Sequence, residues 1–139
     1  MADFNDRIIA EFRTNNGIVG GPFAGAHLLL LTTKGAKSGE NRVAPMMYFA
    51  EGGTSYVIAS KAGAPTNPAW FHNLLAHPEV SVEAAVDGAI ESYSATAEQV
   101  NGELRDRLYA KFSSTNPGFA EYQEKTDRII PIVALNRVA

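Results

Sequence analysis

Residues 28–49 read LLLLTTKGAKSGENRVAPMMYF, two apolar runs on either side of a short, glycine-rich basic turn. Leu28–Leu31 is short and apolar enough to be a fully buried strand, and Arg42–Phe49 has the aliphatic and aromatic character of its partner. The pair is predicted to form a hairpin. In its turn, glycines let the backbone bend sharply and come close to an anion, Lys34, Lys37 and Arg42 bring charge, and Ser38 brings a hydroxyl donor. Such a turn suits a phosphate; it also suits an ordinary soluble loop.

The chain continues in the same manner. Gly52-Gly53 is a tight-turn signal, and the β-formers of Thr54–Ser60 follow it, giving three antiparallel strands in succession. Lys61–Pro68 reads as a loop, and Asn67-Pro68 as an N-cap with proline at the first helical position, opening a short helix through Ala76 that His77-Pro78 ends. Glu79–Ala85 and Ala89–Ala95 flank Asp87-Gly88, a two-residue hairpin signal. Thr96 with Gln99 fits a capping box for a helix to about Phe112, with a buried stripe of Val100, Leu104, Leu108 and Phe112. Asn116-Pro117 interrupts it, a brief helix spans Gly118–Lys125, and Ile129–Val138 reads as a last strand whose Pro131 favours an edge or a bulge. Hairpin-linked strands with few intervening helices predict a small antiparallel barrel with flanking helices, and argue against a doubly wound parallel sheet.

Ahead of the hairpin, Phe4, Ile8, Ile9 and Phe12 fall on one helical stripe, with Asp3 or Asn5 placed to cap it and Asn16-Gly17 to stop it. That stripe suits packing on the domain, a lid, or association with a surface. Gly17, Gly20, Gly21, Pro22 and Gly25 then lead into the first strand, without the G-x-G-x-x-G pattern of a dinucleotide fold. The 139 residues, of which 45% are hydrophobic, suffice for one domain, 1–139, with residues 1–26 as helix and lead-in. A net charge of −3 and a pI near 5.6 argue against nucleic acid as main partner. With no cysteine, thiolate metal sites and cysteine nucleophiles are excluded. No signal peptide and no apolar run of about 18 residues is present, so a cytoplasmic location is expected, with peripheral membrane contact left open.

Few residues form a set that could perform chemistry unaided. His27, His72 and His77 match no metal pattern, so no metal is assigned, and Ser60 lacks a nucleophile-elbow context. A chain of this kind commonly leaves the difficult step to a cofactor. Ser60-Lys61, ending the third strand, would bring a further cation beside Arg42, so Lys37, Arg42 and Lys61 form a candidate dianion site; scattered surface charge is the alternative. Trp70, in NPAWFHN, stands in the first turn of the short helix as core or as cofactor platform.

Taken together, TTKGAKSGENRVAPMMYF, ASKAGAPTNPAWFHNL with HPEVSVE, and TDRIIPIVAL resemble the deazaflavin-dependent nitroreductase and F420H2-dependent quinone reductase family of actinobacteria, in order and spacing along most of the chain. The resemblance implies an α+β split β-barrel of about six antiparallel strands, like the FMN-binding pyridoxamine-oxidase fold, and reduced coenzyme F420 as hydride donor. It places the cofactor's phosphate and acidic tail on Lys37, Ser38 and Arg42, with Lys34 as an outer contact. It counts Ala36 among these cofactor-binding positions, where relatives often carry arginine or another polar residue. It lines the ring with Val43, Ala44, Pro45, Met46 and Met47, adds Ile58, Ala59, Ser60 and Lys61 as a second segment, and Ala69, Trp70, Phe71, His72 and Asn73 as a third. Ser60 and Tyr122 would orient substrate. Met47, Asn116 and Phe119 stand where nitroimidazole-reducing relatives have tyrosines, which implies a more apolar pocket for flat acceptors: quinones, enones or nitroaromatics. An FMN-dependent reductase and a non-catalytic deazaflavin carrier are the other readings, as a monomer or a homodimer.

Overall fold

A computed structural model describes residues 4–19, 28–86 and 88–138. The cap at Asp3, the lead-in residues Gly20, Gly21, Pro22, Gly25 and His27, and Asp87 of the second hairpin signal lie outside the described residues. Among those described, seven strands form one antiparallel sheet: β1 Leu28–Lys34, β2 Asn41–Met47, β3 Phe49–Glu51, β4 Thr54–Ile58, β5 Glu79–Val86, β6 Ala89–Val100 and β7 Ile132–Arg137, in the order β2-β1-β5-β6-β7-β4-β3. The two edge strands, β2 and β3, are separated only by Tyr48. They are one stretch of chain that pairs first with β1 and then with β4. That bend closes the sheet into a six-stranded barrel, as expected. Gly52 and Gly53, at φ +61° and +82°, supply the two left-handed residues that the β3–β4 turn requires.

Partners across an antiparallel ladder share a face. Leu29, Leu31, Val82, Ala84, Ala95, Ala97, Val57, Val133 and Leu135 therefore fill the interior, where Phe71 and Leu74 of helix α2 (Ala69–Ala76) join them. The alternate residues face outward under helices. Leu28 and Leu30 lie beneath α1 (Phe4–Thr14), whose Ile8 and Phe12 are buried on them. Burial of each such side chain contributes about 1.5–3 kcal/mol. Of the roles open to the N-terminal stripe, packing on the domain is the one observed for Ile8, Ile9 and Phe12. Ile58, Val100, Ile132 and Ala134 lie beneath α3 (Gly102–Thr115) and α4 (Gly118–Glu124). No described helix is long and apolar enough to cross a membrane.

Four local expectations are corrected. Thr96 and Gln99 do not cap a helix: β6 runs on to Val100, with Thr96–Val100 paired to Asn136–Ile132 of β7, so ladder pairing with a distant strand overrides a local capping pattern. Helix α3 begins at Gly102, and its buried face is Arg105, Leu108, Tyr109 and Phe112, while Leu104 is 45% exposed. Pro131 marks neither edge nor bulge. It is buried just before β7, an interior strand flanked by β6 and β4; its missing N–H falls outside the ladder, and its carbonyl accepts from Ala59 N–H at 2.9 Å. Asn67 does not cap α2 either. Pro68 holds that position without a side-chain cap bond, and the Asn67 side chain accepts from Arg128 at 2.7 Å.

Candidate functional site

The barrel wall is incomplete between β2 and β4. β2 pairs with β1 alone, and Val57 and Ile58 of β4 pair only with β7. The two strands approach without bonding. While Leu28–Leu31 of neighbouring β1 are 2% exposed or less, every residue from Val43 to Met47 is half-buried. This wall strand therefore has one unpaired backbone edge and neither face fully covered. Alternation divides its side chains: Met46 packs toward the barrel interior, and Val43 and Met47 toward α1. Across the gap stand Ile58 and Ala59, both buried, half-buried Ser60, and exposed Lys61.

The N-terminal end of β2 runs out of the basic turn. Gly35 N–H donates to the Glu40 carbonyl at 2.7 Å and Gly39 N–H to that of Gly35 at 3.0 Å, closing the hairpin and leaving Lys34, Ala36, Lys37, Ser38 and Arg42 exposed. Ser38 Oγ accepts from Glu40 N–H at 3.2 Å, and Arg42 Nη2 lies 3.3 Å from Glu40 Oε2. The turn is tied to α2. Ala36 N–H donates to Asn73 Oδ1 at 3.0 Å, and Asn73 Nδ2 donates to Thr33 Oγ1 at 3.2 Å. Two of the three predicted segments are thereby joined. Trp70 is half-buried against the barrel core, Phe71 is buried within it, and Ala69 and His72 are exposed.

The remaining segment turns sharply. Lys61 has φ +46°, a left-handed conformation that a residue with a Cβ adopts at a cost, and its Nζ donates to Thr66 Oγ1 at 3.2 Å. Arg128, which sequence reasoning missed, holds this loop. Its Nε donates to the Ala64 carbonyl at 2.9 Å, Nη1 to the Ala59 carbonyl at 3.2 Å and to Asn67 Oδ1 at 2.7 Å, and Nη2 to the Ser60 carbonyl at 2.8 Å. Desolvation by burial lowers its pKa. The sequence carries no signal for this role beyond an arginine directly ahead of an apolar strand, because every acceptor lies more than sixty residues away.

At the other end of β2, Met47 meets an aromatic cluster. Phe49 stacks on Phe112 with centroids 4.4 Å apart, Phe119 meets Phe49 edge-on at 5.6 Å, and Tyr122 meets Phe119 at 5.8 Å. Met47, Phe119 and Tyr122, singled out from sequence, thus share one cluster with Ile58. Asn116 stands at the end of α3 with its Nδ2 on Thr115 Oγ1 at 3.1 Å. Tyr109 donates its hydroxyl to the Phe119 carbonyl at 2.5 Å. Burial raises the pKa of Tyr109, and likewise that of Tyr48 at the β2–β3 bend. Among the described residues, no three His, Asp or Glu side chains converge as a metal site. A concavity of about 520 Å³ opens at the base of the same hairpin, over Thr33, Lys34, Asn41, Glu79, Ser94 and Thr96. Most of its polar side chains are exposed to water, and it does not adjoin the aromatic cluster.

A model of the F420H(2)-dependent quinone reductase family matches residues 6–137. An F420H(2)-dependent quinone reductase of Mycobacterium tuberculosis is 35% identical over 132 residues, covering 92% of this chain and 86% of the relative. Among solved structures, one described as an F420-H2 dependent reductase (FDR-A) is similar at a TM-score of 0.68 and 40% identity, covering 78% of this chain and 93% of the other. A second, described as a domain-swapped dimer, has a TM-score of 0.70 and 36% identity over 94% of this chain and 93% of its own.

Proposed function

We propose that this chain, a member of the F420H(2)-dependent quinone reductase family and an F420-dependent oxidoreductase, reduces quinones and holds its cofactor in a groove along the open edge between β2 and β4. The observation that supports this placement is the half-buried, unpaired edge of β2 facing the Ala59–Lys61 segment. Val43–Met47 offer a flat, largely apolar wall to a tricyclic ring. Lys37, Ser38 and Arg42 at the turn are exposed donors for a phosphate and an acidic tail. When bound, the reduced deazaflavin supplies a hydride from C5.

The residues of this chain bind and align. The turn takes the anionic end, Ile58–Lys61 and Trp70 border the ring, and Met47, Phe119 and Tyr122 present an apolar face that excludes water and accepts a flat quinone, enone or nitroaromatic. Alignment of two stacked partners contributes a large share of such a rate, and no protein nucleophile is needed. Ile8, Ile9 and Phe12 of α1 lie on the barrel. We take residues 1–139 as one domain.

Mixing the protein with reduced F420 and menadione and following the cofactor's absorbance should show accelerated oxidation. Binding without acceleration across a panel of acceptors would identify a carrier instead, and tightly retained FMN would overturn the cofactor assignment.

A further inference from the structure

We propose that Arg128 is a positioning residue that fixes the loop bordering the cofactor groove; this rests on the groove holding the deazaflavin. Four N–H groups of its guanidinium go to four acceptors spread over residues 59–67. A trans peptide sets each N–H opposite the preceding carbonyl. With the Ala59 and Ser60 carbonyls turned onto Arg128, the N–H groups of Ser60 and Lys61 are turned away from it and fixed in direction. The left-handed Lys61 sits inside this span, and so does Gly63, at φ +81°, where an added Cβ would come within 2.9 Å of the Tyr122 carbonyl.

The clamp is itself anchored from the acceptor side. Gln123, next to Tyr122 on α4, donates from Nε2 to the Arg128 carbonyl at 2.7 Å, while its Oε1 accepts from Ile130 N–H at 3.0 Å and from Arg105 Nη2 at 2.7 Å. The helix that carries Phe119 and Tyr122 therefore sets the position of Arg128, and Arg128 sets the loop. Lysine cannot replace this fork, because one ammonium does not reach acceptors on several sides of a planar guanidinium.

Fluorescence titration with oxidised F420, below the melting temperature of every variant, tests the role. The wild type is expected to bind. R128K and R128Q are expected to lose about tenfold or more in affinity, since several charge-assisted bonds are removed. N67A, lacking one acceptor of four, should lose about two- to fivefold. Val82→Ala, a cavity in the fully buried barrel interior, controls for lowered stability and should bind as wild type does. Trypsin cleavage after Lys61 should be faster in R128Q than in Val82→Ala. Absence of F420 binding by the wild type would refute the groove assignment and not the clamp, whose loop would still loosen under trypsin. Wild-type binding with R128K within twofold of it, or a loss matched by Val82→Ala, would overturn the inference.

Discussion

The amide side chain of Asn73 joins two distant parts of the chain: its Oδ1 accepts the Ala36 N–H at 3.0 Å while its Nδ2 donates to Thr33 Oγ1 at 3.2 Å. Thr33 is only 1% exposed, so it does not readily recover a water in place of the lost donor. Asn73→Ala should therefore cost about 1–3 kcal/mol of stability, measured by denaturant unfolding. It should also weaken F420 binding, because the basic turn loses its tie to α2. Asn73→Asp keeps the acceptor for Ala36 and should retain more affinity than Asn73→Ala.

Arg42 and Glu40 form an exposed pair at 3.3 Å, worth little to the fold but placed where an anionic ligand would compete for the same guanidinium. Arg42→Ala should weaken F420 binding by about 1.5–3 kcal/mol, the range for a charged hydrogen bond. Glu40→Gln, which frees Arg42, should tighten binding at low ionic strength. The gain should fade as salt shortens the Debye length from about 10 Å at 0.1 M to about 3 Å at 1 M. Isothermal titration across that range checks both.

Glu51 links β3 to α3 through Arg107 at 3.0 Å and Lys111 at 3.6 Å. The hydrogen bond from Arg107 and the two cations hold its carboxyl below the ordinary value of 4.5. A folded-state pKa lower than the unfolded one adds stability that is present above the unfolded pKa and lost as pH falls through the folded one. Melting temperature should thus fall less steeply below about pH 4.5 in Glu51→Gln than in the wild type, with the two curves separated by a constant offset above it.

What was legible in the sequence was local. The β1–β2 hairpin, the Gly52-Gly53 turn, α2 and the Asn116-Pro117 break each follow from neighbours within a few residues, and the antiparallel barrel follows from their succession. What was not legible depends on partners far along the chain. Thr96–Val100 became strand because β7 lies beside it, and while Leu108 and Phe112 are buried as expected, Leu104 stayed exposed where Arg105 turns inward onto the Ile130 carbonyl. Asn67 left its capping role for Arg128, sixty-one residues on. In the candidate site the same division holds: the basic turn and Met47 were visible as motifs, whereas the gap between β2 and β4 and the Arg128 clamp exist only once the barrel closes.

Gly63 shows how tightly that closure is fitted. At φ +81° it lies against α4, where a Cβ would stand 2.9 Å from the Tyr122 carbonyl and 3.0 Å from Lys125 Cβ. Backbone conformation and space both oppose a side chain, so Gly63→Ala should cost about 1–3 kcal/mol and lower F420 affinity by displacing the loop. Gly53→Ala, at φ +82° with open space around it, bears the conformational cost alone. A larger fall in melting temperature for Gly63→Ala than for Gly53→Ala measures the contact with α4.

Met47 is where acceptor range should be set. It is half-buried at the end of β2, touching both the α1 cluster and the aromatic cluster of Phe49, Phe119 and Tyr122, and it offers no hydrogen-bond donor. A thioether adapts its shape and suits flat apolar acceptors; a phenol adds a donor worth about 0.5–1.5 kcal/mol to an acceptor oxygen that can use it. Met47→Tyr should raise kcat/KM for a nitroaromatic relative to menadione by about two- to tenfold. The ratio, taken from steady-state rates at saturating cofactor, separates a change in the acceptor wall from a general loss. An unaltered ratio would move the determinant of acceptor choice away from β2 and onto α4.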